Sequence, residues 1–230
     1  GSRDGKVKAI WRLMGGTWGF ALGAVLLLLA SPLLAPQLLA FPHKAQTELG
    51  PVWSEDKLDP AMLKRAVEKA RKRLNTSPLA QTAETRDIFV TNGGWRWTYL
   101  ANTVSDAFAL TRPLNDAIII NRTDPSSGIV RNGDSVAGQR TLADLIAHEF
   151  THGMIDRRYG TLRARFFPTW KVEGYCDHVA GTSSLRAREA AQLEREGRDH
   201  PALIYFHARR RVEAILAANG GSPDALFLED

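Results

Sequence analysis

The apolar positions change character along the chain. From Leu13 to Pro42, thirty residues pass without a formal charge, densest in GFALGAVLLLLASPLLAPQLLAF. A run of that length and composition is enough apolar helix to cross a bilayer, with Pro32 and Pro36 breaking it near its far end. Residues 43–58 mix apolar, charged and proline positions without a clear period, which predicts a short connector ahead of a folded domain. Asp59 and Pro60 then open a helix with an N-cap and a proline in the first turn. Leu63, Ala66, Val67, Ala70 and Leu74 fall on one stripe of it, with lysines and arginines opposite, so this helix is scaffold.

DIFVTNGGWRWTYL predicts two short strands around the turn signal Asn92-Gly93-Gly94, with Trp95, Trp97 and Tyr99 alternating onto one sheet face. NDAIIINRTD predicts a further strand, rich in β-branched residues, and a polar loop follows from Thr123 to Gln139. Thr141 and Asp144 form a capping-box pattern, so a helix starts at Leu142 and carries LADLIAHEFTHGMIDRR. Pro168 opens another helix, and a last one runs from about Pro201 to Asn219, stopped by Gly220-Gly221. The pattern as a whole predicts an α+β domain over 59–230, a small mixed sheet plus helices, behind an N-terminal stub and transmembrane anchor over 1–42.

Composition agrees with that division. At 230 residues and 44% apolar content, the chain has room for one well-buried domain and an appendage. Of the formal charge of +5, Arg3, Lys6, Lys8 and Arg12 against Asp4 supply +3, which leaves +2 for everything after residue 12. No basic face for nucleic acid is expected from so small an excess. Basic residues just ahead of the apolar run place the N-terminus on the cytoplasmic side and the domain across the membrane. A cleaved signal peptide would share that charged start, but no small-x-small cleavage site is evident, so an uncleaved anchor is expected. Cys176 is the single cysteine and cannot form an internal disulfide.

The chemistry sits in LIAHEFTHGM. Residues four apart on a helix lie one above the other, so His148 and His152 can present two imidazole nitrogens to one ion. Glu149 then projects beside that ion, where a carboxylate can take a proton from water. A catalytic zinc needs a third protein ligand. Asp156 lies about 12 Å along the helix from His148 at 1.5 Å per residue, too far to share an ion. Arg158 and Ile155 stand where a metzincin has its third His and its Gly, which excludes that class. Glu173, on the helix opened by Pro168, is the best choice, and Asp177 lies one turn further on the same face, placed to accept a hydrogen bond from the outer nitrogen of a zinc-bound imidazole.

HEFTH followed by FPTWKVEGYCDHVAG resembles the gluzincin metallopeptidases, the thermolysin-like group, and among them the compact bacterial peptidase MA-like domains. The resemblance runs from about Ile88 to Gly220 and is specific only at these two motifs. It implies a zincin-like fold, Zn2+ held by His148, His152 and Glu173, Glu149 as general base, and Asp177 as the group that orients an imidazole. It also implies that a peptide or protein substrate pairs with an edge strand at Ala117 to Asn121. No motif settles the donor that stabilises the oxyanion: Tyr205 on the last helix is the first candidate and His207 the second. His178, next to Asp177, is expected to cap or pack. The expected function is a membrane-anchored zinc peptidase; the alternative is a non-catalytic anchored module that keeps zinc for folding or for holding a partner. Intact Glu149 argues against the alternative, because a structural site needs no base.

Overall fold

The computed structural model describes residues 17–82, 84–102, 104, 106–112, 115–133 and 136–229. The chain divides into two units, one up to Ala40 and the other from Phe41 onward.

In the first unit, α1 (Thr17–Leu34) carries no charged residue and is followed by a short 3-10 turn over Pro36–Leu39. Phe20, Leu22, Val25, Leu26, Leu27, Leu28 and Leu34 are exposed on it. No helix among the described residues is long and apolar enough to cross a membrane. The stub expected over the first twelve residues, and the beginning of the apolar run at Leu13, lie outside the described residues.

The second unit is a mixed α+β domain. Its strands are β1 (His43–Thr47), β2 (Gly50–Ser54), β3 (Ile88–Val90), β4 (Ala109–Thr111) and β5 (Ile118–Ile120), in the sheet order β1-β2-β3-β5-β4. The two central pairings, β2 with β3 and β3 with β5, are parallel, and the outer pairings are antiparallel. A separate antiparallel pair joins β6 (Ile129–Arg131), inside the stretch expected to be loop, to β7 (Gln139–Thr141), which begins at the end of that stretch.

Three expectations change. Residues 43–58 hold the β1–β2 hairpin and not a free connector: Leu49 and Val52 are buried, every second residue of β2 faces the core, and the domain begins at Phe41 instead of Asp59. The Trp95 to Tyr99 segment is helical, α3 (Trp95–Ala101). Gly94 caps it, held by the Asn92 side chain, and the buried residues are Trp97, Leu100 and Ala101, a helical and not an alternating set. The run at Ala117 to Asn121 is no edge strand, since β5 is fully buried and paired on both sides, as a continuous β-branched run suits. Among the described residues the edge on this side of the sheet is β4, and β1 is the other.

The helices complete a layer against the sheet. These are α2 (Pro60–Leu74), α4 (Leu142–Tyr159), α5 (Thr161–Ala164), α6 (Thr169–Ala180), α7 (Ala187–Arg195), α8 (Pro201–Ala218) and α9 (Pro223–Leu228). α2 packs on α4, α4 on α6, and α6 on α8. Asp59 caps α2 by accepting from Met62 N, and Thr141 and Asp144 close a full capping box at the start of α4. A Cβ on Gly174 would stand 2.6 Å from the Ala208 oxygen, so only glycine lets α6 approach α8 this closely.

Candidate metal centre

α4 delivers the two histidines. His148 and Glu149 are buried and His152 is half-buried, on a helix held at one end by its capping box and packed on α2 and α6. α6 brings Glu173 to them. His148 Nε2 lies 3.2 Å from His152 Nε2, and Glu173 puts one carboxylate oxygen 3.3 Å from the first and the other 3.7 Å from the second. Donors about 2.0–2.1 Å from a tetrahedral ion stand roughly 3.3 Å from one another, and the two imidazole nitrogens are spaced close to that, with a different carboxylate oxygen of Glu173 facing each.

Cys176, one turn beyond Glu173, gives a second donor set: its sulfur and the two imidazoles fall within 4.8 Å of one another. The carboxylate is the better third donor. Its oxygens face both nitrogens and line the cleft, whereas Cys176 is wholly buried in the apolar core. Burial first, and then the nearby Glu173, Glu149 and Asp177, push its thiol well above the ordinary range.

Asp177 orients the first histidine. It accepts from His148 Nδ1 at 2.8 Å, which leaves Nε2 facing Glu173 and His152. Arg140, immediately before the α4 cap, donates to the same Asp177 oxygen at 2.9 Å, and both side chains are buried. Burial alone would raise Asp177, but the Arg140 charge and the His148 bond outweigh it and hold the carboxyl below its usual value. Burial also opposes charge on His148; the hydrogen bonds of Asp177 and Glu173 overcome that and push it up to about 10. Glu173 is likewise drawn down by the two imidazoles against the effect of burial.

Edge strand β4 supplies the remaining wall. Thr111 donates its hydroxyl to Glu149 Oε2 at 2.7 Å. Two arms of a cleft meet at His148, Glu149 and Glu173. One, of about 650 Å³, runs along Ala109 to Thr111 past His152, Asp156 and Arg86; the other, of about 490 Å³, reaches Arg140 and Tyr205. Tyr205 is 41% exposed in that wall, whereas His207 faces Glu194 at 3.1 Å and is not part of it. His178 turns toward Glu213 on α8, away from the imidazole pair. Arg140, Thr111 and Arg86 carry no sequence motif, because each meets the site across a long stretch of chain.

Comparisons with known proteins gave no family model, no curated protein and no solved structure that matches this chain.

Proposed function

We propose that the chain is a zinc-dependent peptidase of the gluzincin kind on a zincin-like fold, anchored to a membrane by its uncharged N-terminal segment with the domain on the extracytoplasmic side. The observation that carries the chemistry is the convergence of His148, His152 and Glu173 at 3.2–3.7 Å with Glu149 beside them under an edge strand. The anchor rests on the missing charge from Leu13 to Pro42 and on the exposed apolar side chains of α1.

A zinc ion held by His148, His152 and Glu173 would polarise a peptide carbonyl and bring the pKa of water near about 7. Glu149 accepts a proton from the attacking water and returns it to the leaving amine, its carboxylate fixed in place by Thr111. Asp177, locked by Arg140, keeps the His148 ring turned toward the ligand position. The free edge of β4 pairs with an extended peptide by main-chain hydrogen bonds. Tyr205 is the donor to the carbonyl oxygen as charge develops there.

The test is a metal assay coupled to cleavage of a peptide library, with Glu149→Gln as control. One zinc per chain, turnover by the wild type and loss of turnover in the variant with zinc retained are expected. Zinc without turnover of any peptide would leave the non-catalytic module as the better reading, and a chain without metal would remove both.

A further inference from the structure

One cation in the cleft has no part in this chemistry. Arg86 leaves the chain just before β3, where its backbone N–H donates to the Leu49 carbonyl. Its side chain crosses to α4, with Cζ 5.2 Å from the Phe150 ring centre. The guanidinium packs on Gly153: a Cβ there would fall 1.5 Å from Nη2, so any larger residue would displace the arginine from this place. Nη1 is buried and has no hydrogen-bond partner among the described residues. Asp116, Glu149 and Asp156 act on Arg86 through space only, and burial outweighs them, drawing the guanidinium below its usual value.

A mostly buried guanidinium with a vacant donor is costly, and a fold that makes room for one on its catalytic helix must recover that cost. Arg86 lines the 650 Å³ arm of the cleft together with His152, Glu149 and Glu173, and the same wall contains Arg165. A planar fork of donors matches a carboxylate in two-point fashion. Asp116 and Asp156 reduce the cost of the buried charge without occupying Nη1.

We propose that Arg86 is a specificity-determining residue that binds a carboxylate of the peptide substrate in the arm beyond His152. This deepens the peptidase reading and rests on it. The carboxylate has two sources, an Asp or Glu side chain near the scissile bond or the free C-terminus. Paired peptides separate them: Glu against Gln at each position, and free acid against amide at the end.

With the zinc-loaded full chain, one kind of pair should favour its acidic member by roughly 10- to 100-fold in kcat/KM, the range of a charge-assisted hydrogen bond. A Glu/Gln preference identifies a side chain, and an acid/amide preference identifies the C-terminus. Arg86→Met should bring that ratio toward one, chiefly through KM, and Arg86→Lys, which keeps the charge but not the fork, should give an intermediate ratio. Because the pairs are measured first on the unaltered chain, the result does not depend on Arg86→Met folding; circular dichroism checks that it does. Hydrolysis with no acidic preference in any pair, or a preference that survives in folded Arg86→Met, overturns the proposal and leaves the peptidase reading standing. If no peptide is cut, the peptidase reading fails separately, and binding of the same fluorescently labelled pairs decides: Arg86-dependent tightening for the acid supports the subsite, and equal affinity overturns it.

Discussion

α2 and α4 pack against each other, and they solve opposite problems. Both begin with a proper cap, yet α2 buries one apolar stripe, Met62, Leu63, Ala66, Val67, Ala70 and Leu74, and gives the rest to water apart from the half-buried Arg71 and Arg73 near its end. α4 buries every residue from Leu142 to Thr151, including Asp144, His148 and Glu149. An unpaired buried polar group costs free energy, so each one on α4 is answered: Asp144 by Arg73 and the cap, His148 by Asp177, Glu149 by Thr111. The lesson is that α2 is defined by which residues it hides, and α4 by the partners it must find.

The sharpest break in the comparison is Glu149→Gln. The side chain keeps its shape and can still meet Thr111, but it can no longer accept a proton. Turnover should fall by about 10³-fold or more, within or beyond the usual range for general base catalysis, while the bound metal and the melting temperature stay close to wild type. Steady-state kinetics beside metal analysis reads both; retained turnover would remove Glu149 from its role.

Next in size is Arg140→Met. It leaves Asp177 buried without its cation, and breaking a buried pair from one side costs about 3–5 kcal/mol of stability. The His148 ring also loses its fixed orientation, so zinc affinity should weaken by roughly 10- to 100-fold. Denaturant melts and competition with a chelator measure the two effects. A destabilised protein that binds zinc as tightly as wild type would show that Arg140 supports the fold and does not position the ligand.

Leu63→Ala on α2 should cost about 2–5 kcal/mol in the same melts, with zinc affinity unchanged in the folded fraction. That contrast follows what was legible in the sequence. α2, α4, α6 and α8 could be read because caps, prolines and glycine stops mark their ends, and the His148, Glu149 and His152 spacing is local to one helix. The Trp95 to Tyr99 alternation imitated a strand because three aromatic side chains happen to alternate, while burial follows Trp97, Leu100 and Ala101. β4 has only three half-buried residues, too few for any period, so in the sequence its more apolar neighbour β5 stands out in its place. Arg140 and Thr111 meet Asp177 and Glu149 across 37 and 38 residues of chain, and pairings of that range leave no local signature.

The smallest effect is expected at Lys64→Ala, on the outer face of α2. Lys64 and Glu68 form an i,i+4 pair at 3.8 Å with side chains 77% and 57% exposed, and a pair so open to water and salt contributes no more than about 0.5 kcal/mol. The substitution should move neither the melting midpoint beyond that nor the cleavage rate. The same lysine lines the groove between α2 and β1, with Leu63, Val67 and Glu68. A loss above about 1 kcal/mol, or a change in turnover, would therefore mean that the exposed face of α2 also has a partner to find, and the opposition between the two helices would fail on the side where it looks safest.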